Sequence, residues 1–206
     1  MNIDKTSFIF LRHGEPVGGK VFRGSTDDPL TDNGWLQMEK AIKGLSFDEI
    51  ISSPLKRCLD FSKKIQQLTS TTLTVMDGLQ ELDLGVWEGL SVEEVAKLDS
   101  NGLKTFWAMP YSYTPENGEM FQAFEKRIHS SWQALNEQFP PQTESKTVLV
   151  VCHAGVMMVL LKMLLNIPVE NLLCIKLNYA SKVRVEIFNK TIGSKPQIYI
   201  DHGYSF

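Results

Sequence analysis

The sequence is short of the features that mark an exported, membrane-bound or nucleic-acid-binding chain. Its 206 residues include three cysteines, Cys58, Cys152 and Cys174. They form no Cys-x-x-Cys pair, and the odd number argues against a disulfide framework, so a reducing, cytoplasmic setting is expected. Positive charge is not in excess: 21 Lys and Arg face 24 Asp and Glu, a formal net charge of −3. That excludes the basic footprint of a nucleic-acid binder, while a local cationic pocket remains allowed. Residues 1–7 lack the basic start, apolar core and cleavage site of an export signal, so no leader is expected. The longest apolar run, residues 148–165, approaches the length of a membrane span but is interrupted by His153, Gly155 and Lys162. Val148-Leu149-Val150-Val151 reads as a strand and 157–165 as a buried helix, with a turn between. Internal repeats, low-complexity tracts and linkers are also absent. The composition, 43% hydrophobic and 22% charged, suits one domain over 1–206.

The stretch that organises the chain is Phe8-Ile9-Phe10-Leu11-Arg12-His13-Gly14-Glu15. Four large apolar residues in a row predict a strand buried on both faces. Arg12 and His13 then fall at the strand end, with Gly14 expected to supply an unusual backbone angle. Residues 16–30, rich in Gly, Pro and Asp, form a loop long enough to suggest function. Thr31-Asp32-Asn33 offers helix caps ahead of Trp35, Met38, Ile42 and Leu45 at helical spacing. Residues 47–51 predict a short strand. Ser52-Ser53-Pro54 follows as a helix start, with hydroxyl caps and a first-turn proline, and Arg57 lies near that start. A third strand is expected at 73–76, then a loop with acids at Glu81, Asp83 and Glu88. Ser91-Val92-Glu93-Glu94 fits a capping box. Residues 100–119, aromatic and broken by proline, are expected to form a small cap. A long amphipathic helix follows over 120–139. A strand at 147–151 leads into Cys152-His153-Ala154-Gly155, and 182–188 with 197–200 form a final hairpin. This alternation predicts an α/β fold: a mostly parallel sheet between two helical layers, with an antiparallel pair at one edge.

Two strands therefore repeat one device, an apolar run ending in a histidine beside a small residue. If they are parallel, both imidazoles reach one edge, where ligands of open α/β sheets bind. Arg12, Arg57 and a positively polarised helix N-terminus add to an oxyanion pocket matched to a phosphoryl group. Each residue has an ordinary reading as well. Arg57 alone reads as a surface ion pair, His153 as a satisfied core histidine, the four tryptophans as core or cap, and Asp27, Asp28, Asp83 and Glu88 as solvated or capping groups. His129 and His202 are given no role. A metal site of His13, His153 and Glu81 is the rival reading, and a non-catalytic binding protein the third. No local His-x-His or His-x-x-x-His pair supports the metal, and the neighbouring arginine repels a cation.

Five ordered motifs, Leu11-Arg12-His13-Gly14-Glu15, Asp28-Pro29-Leu30-Thr31 with Gly34, Ser52-Ser53-Pro54-Leu55-Lys56-Arg57, Glu81 to Gly85 with Trp87-Glu88-Gly89, and Val151-Cys152-His153-Ala154-Gly155, resemble the histidine phosphatase superfamily with its phosphoglycerate mutase-like fold. Within it, Val21-Phe22-Arg23-Gly24-Ser25-Thr26-Asp27-Asp28-Pro29-Leu30 and Phe106-Trp107-Ala108-Met109-Pro110-Tyr111 are similar to the α-ribazole phosphatase branch, which dephosphorylates α-ribazole 5′-phosphate in cobalamin assembly. The resemblance implies His13 as nucleophile, Arg12, Arg57 and His153 as phosphoryl holders, and Glu81 as general acid and base. It further implies Arg23, Glu15, Gly155 and Glu119 as substrate-binding residues. It implies no cofactor and no metal. The expected partner is a small phosphomonoester, neither nucleic acid nor membrane, and a homodimer is left open. Pro16-Val17-Gly18-Gly19 stands where mutases of the superfamily carry Ser or Thr and a later Asn, which favours a phosphatase. In this reading His13 attacks as the neutral ring, its other nitrogen held by a backbone carbonyl, while His153 serves as an imidazolium.

Overall fold

Strand pairing places the two histidine-bearing strands side by side. The computed structural model describes residues 5–141, 145–189 and 195–201. In chain order its elements are β1 (Lys5–Arg12), α1 (Asp32–Ile42), β2 (Glu49–Ser52), α2 (Lys56–Thr69), β3 (Thr72–Val75), α3 (Val92–Leu98), α4 (Ser100–Ala108), α5 (Phe121–Gln138), β4 (Lys146–Cys152), α6 (Ala154–Leu165), β5 (Lys182–Phe188) and β6 (Gln197–Asp201). Short 3-10 turns lie at Asp77–Leu79, Gly85–Trp87, Pro110–Ser112 and Val169–Cys174.

The strands form one sheet in the order β3-β2-β4-β1-β5-β6. β1, β2, β3 and β4 are parallel; β5 runs antiparallel to β1 and β6 antiparallel to β5. The expected antiparallel edge is present, and residues 190–194 of its connecting loop lie outside the described residues. β4 inserts between β1 and β2, an order that element succession alone does not reveal.

Burial explains why β1 and β4 read as unbroken apolar runs. Phe8, Phe10, Val148 and Val150 face one helical layer, where they meet Phe124, Ile128 and Leu135 of α5 and Val156 and Leu160 of α6. Ile9, Leu11, Leu149 and Val151 face the other, against Met38 of α1 and Cys58, Phe61 and Ile65 of α2. Removing both faces from water is the main force holding a sheet between helices. Trp132 packs edge-on to Phe8 at 5.2 Å between ring centroids, Trp35 lies 5.7 Å from Phe61, and fully buried Trp87 stacks on Tyr113 at 5.5 Å. Trp107 lies on α4 within residues 100–119 and is 46% exposed, so it is not a core residue. Among the described residues no helix is long and apolar enough to cross a membrane; 148–165 is most of β4, then His153 as the cap residue, and the whole of α6.

Two caps follow from local chemistry. Thr31 accepts the Gly34 N–H at 2.9 Å to start α1. Ser91 and Glu94 form the reciprocal box that starts α3. The start of α2 differs from expectation. Leu55 occupies the cap position, Pro54 lies before the helix, and the Lys56 N–H is taken instead by Asp27 from the long loop, at 2.6 Å. Residues 100–119 hold α4 and a 3-10 turn. They are fastened by Tyr113 to Asp99, by Tyr111 to Glu125, and by the Glu116 carbonyl, which accepts the Val86 N–H at 3.0 Å.

Candidate active site

The site grows from the carboxyl ends of the parallel strands. β1 and β4 pair in register through Arg12 and Cys152, and the His13 N–H continues the ladder to the Cys152 carbonyl at 3.0 Å. The next residue of β4 is His153, so the two imidazoles stand level, 5.2 Å apart between ring centroids at 62°. β2 adds one more rung, with the Ser53 N–H on the Val151 carbonyl at 2.9 Å. Ser53 thereby reaches the same level and lies 2.7 Å from His153 Nε2.

Gly14 is required here for a different reason from the one expected. It has no left-handed backbone; rather, a Cβ would lie 2.1 Å from the Gly34 carbonyl oxygen, and one on Gly34 would lie 2.2 Å from the Glu15 carbonyl oxygen. The strand end and the start of α1 touch backbone to backbone. At the same turn His13 Nδ1 donates to the Gly14 carbonyl at 2.7 Å. The proton is thus assigned to Nδ1, which leaves the Nε2 lone pair available. Burial, then the Arg12 and Arg57 charges, hold His13 well below the usual histidine range, so the ring is neutral at physiological pH.

His153 is tied at both nitrogens. Arg57 Nε donates to Nδ1 at 3.3 Å and Ser53 sits on Nε2. Burial and the Arg57 charge push its pKa well down as well. The expected imidazolium is therefore corrected: an Arg N–H needs a lone pair on Nδ1, and a proton there would meet it head on.

Arg57 is fully buried rather than a surface ion pair. Besides His153 it donates to the Thr26 and Gly24 carbonyls, each at 2.6 Å, so it anchors the long loop and still has two N–H groups to offer. Glu88 holds the same loop from the opposite side, accepting the Ser25 and Thr26 N–H groups at 2.6 and 2.5 Å. Burial alone would raise the Glu88 pKa, but the bonds from Thr26, Leu84 and Ser25 outweigh it and keep the carboxyl below its usual range. Arg12 donates to the Leu177 carbonyl and lies 4.4 Å from the Tyr179 ring, while its Nε is buried with no partner among the described residues. Tyr179 also flanks His13 at 5.9 Å. It is brought there by a turn in which Ala180 takes a left-handed φ of 57°, uncommon for an alanine.

Glu81 enters from the loop after β3. Its Oε2 accepts the Gly155 N–H at 3.0 Å and its Oε1 the Leu82 N–H at 3.1 Å. A Cβ on Gly155 would lie 2.3 Å from Oε1, so a side chain there would push the carboxylate from this position. The two nearby helix N-termini are thus occupied by carboxylates, α2 by Asp27 and α6 by Glu81, and anion binding falls to the guanidinium groups.

The structure brings Arg12, His13, Arg57, His153, Glu81 and Gly155 to one rim. Arg23 stays in its loop, bonded to Asp28 at 2.8 Å and to the Val17 carbonyl at 2.6 Å, yet its charge reaches His13. Glu15 turns to Asn33 at 2.7 Å, and Glu119 pairs with Arg127. Ser53 was read only as a helix cap, and Tyr179 and Arg127 are missing from the sequence reading. Extending the residue-past-the-strand rule to β2 would have found Ser53; nothing local signals the other two.

Comparison with known proteins gives a consistent picture. The family model described as the histidine phosphatase superfamily (branch 1) matches residues 8–195. The bifunctional protein Rv2228c of Mycobacterium tuberculosis is 30% identical over 167 residues, covering 78% of this chain and 44% of that protein; the chain thus spans under half the length of this relative. The adenosylcobalamin/alpha-ribazole phosphatase of Escherichia coli is 27% identical over 166 residues, covering 78% of this chain and 79% of its own. Among solved structures, Bacillus stearothermophilus YhfR superposes with a TM-score of 0.84 at 23% identity, covering 97% of this chain and 98% of its own.

Proposed function

The chain belongs to the histidine phosphatase superfamily, and from that premise we propose that it hydrolyses phosphomonoesters through a phosphohistidine on His13. The observation that carries this is the asymmetry of the His13 ring: Nδ1 is committed to the Gly14 carbonyl and the ring is neutral, so Nε2 is a nucleophile in waiting. Nε2 attacks phosphorus in line with the ester oxygen. Arg12 and Arg57 take the charge spread over the equatorial oxygens, with His153 beside them. As the P–O bond breaks, Glu81 passes to the leaving alkoxide a proton that the phosphomonoester brings on binding. It then takes a proton from the water that attacks the phosphohistidine, releasing phosphate and restoring His13. The Arg12 and Arg57 guanidinium groups supply the positive charge that the transferring phosphoryl group requires.

The substrate we assign is α-ribazole 5′-phosphate. Support comes from the likeness of the loop at 21–30 and of residues 106–111 to that branch, and from the Escherichia coli relative. Pro16-Val17-Gly18-Gly19 offers backbone and no side-chain hydroxyl or amide, which favours transfer to water over transfer within a mutase. Residues 100–119, fastened to the turn after Glu81, select the alcohol. A panel of α-ribazole 5′-phosphate, 3-phosphoglycerate, sugar phosphates and nucleotides, with and without EDTA, tests the assignment. The α-ribazole ester is expected to lead in kcat/KM by at least roughly tenfold, worth about 1.4 kcal/mol, with EDTA without effect. Equal rates across the panel would replace it with a broad phosphatase, and loss of activity in EDTA with a metal enzyme.

A further inference from the structure

Arg127 lies on α5 and takes no part in the chemistry above, yet all five of its N–H groups are used. Nη1 donates to the carbonyls of Gly78 at 3.0 Å and Gln80 at 2.6 Å; Nη2 donates to the Glu81 carbonyl at 2.9 Å and to Glu119 Oε2 at 2.8 Å; Nε donates to Glu119 Oε1 at 2.8 Å. The guanidinium lies 4.6 Å from the Phe124 ring centroid, and Phe124 borders Gly155, where an added Cβ would meet it at 3.3 Å. One planar group thus pins three carbonyls of a stretch that ends at Glu81. Glu119 fixes the plane of that group through a two-point pair. On the other side of the loop, the Glu81 carboxylate meets Gly155 with no room to spare. Its position is set from two directions, by the clamp on its backbone and by the start of α6.

We propose that Arg127 and Glu119 are positioning residues that aim Glu81 at the leaving oxygen of the substrate. The proposal rests on the phosphohistidine reading above. It separates two things that a stability brace would affect together. Proton donation matters in proportion to the basicity of the leaving group: an alkoxide needs the proton, a nitrophenolate does not. A Glu81 displaced by about an ångström should therefore fail on alkyl esters, by roughly a hundredfold, and still permit attack on aryl esters.

The test is single-turnover phosphorylation of His13 by 4-nitrophenyl phosphate and by an alkyl phosphate, in Arg127→Lys, Glu119→Gln and, as reference, Glu81→Gln. Arg127→Lys keeps the charge and loses the fork; Glu119→Gln keeps the shape and loses the ion pair, which serves if the lysine variant does not fold. The expected result is a loss of roughly 30- to 100-fold with the alkyl ester against less than about threefold with the aryl ester, in the pattern of Glu81→Gln. Parallel losses on both esters, or no loss in either clamp variant while Glu81→Gln is selective, would overturn the clamp and leave the phosphohistidine reading intact. Absence of phosphohistidine in the wild-type protein would overturn that reading and the clamp with it.

Discussion

The ends of β1 and β4 carry the same device and come out chemically different. Both strands are buried on both faces, both end level with each other, and both are followed by a histidine that is neutral through burial and nearby arginine charge. What separates them is the company of the ring nitrogens. His13 gives one nitrogen to a carbonyl one residue away, and no hydrogen bond among the described residues engages the other. His153 is held by Ser53 and Arg57 together. Arrival at the rim is thus a property of the strand, whereas the role is a property of the neighbours that other strands bring. A ring with a free lone pair can attack; a ring held at both ends can align what is attacked.

Breaking the two ends separately should give unequal results. His13→Ala removes the nucleophile and is expected to lower kcat by on the order of 10⁴-fold or more, while His153→Ala costs roughly 10²–10³-fold as the loss of one positioned group; steady-state rates on one ester measure both. Equal losses would erase the distinction between the two ends. A smaller effect is expected from Ser53→Ala, about tenfold in kcat with little change in KM, because the His153 ring loses its shortest hydrogen bond. A separate effect is on stability. Both histidines have folded pKa values below the ordinary 6.5, so as the pH falls below about 6.5 the unfolded chain takes up protons first and stability declines. The slope approaches about 1.4 kcal/mol per pH unit for each ring. Denaturant titrations from pH 7.5 down should show it, and His153→Gln should flatten it; stability that rises on acidification would contradict the neutral rings.

The sequence made legible what depends on local pattern and periodicity. β1 and β4 were readable because strands covered on both faces are apolar throughout, and Thr31 and the Ser91–Glu94 box were readable because capping is local. The placing of His13, Arg12 and His153 at one rim followed from the strand ends alone. What was hidden is what depends on contact between distant segments. Gly14 was read as a backbone-angle residue because its true neighbour, Gly34, lies on another element. The start of α2 was credited to Ser52 and Ser53, whereas Asp27 takes the Lys56 N–H and Ser53 turns to His153. Arg57 was placed in the pocket from its position near the start of α2, but its burial was not legible, because the carbonyls that bury it, at Gly24 and Thr26, belong to a loop of no regular structure. Arg127 was invisible for the same reason: a polar residue on an amphipathic helix shows nothing of the three carbonyls it holds.

The most direct measurement is the site of the covalent phosphate. The protein is mixed with a radiolabelled phosphomonoester, quenched in base, digested and mapped for acid-labile label. The account predicts label on the peptide containing His13 in the wild type and in His153→Ala, and none in His13→Ala. Label on His153, or turnover with no label on either histidine, would contradict it.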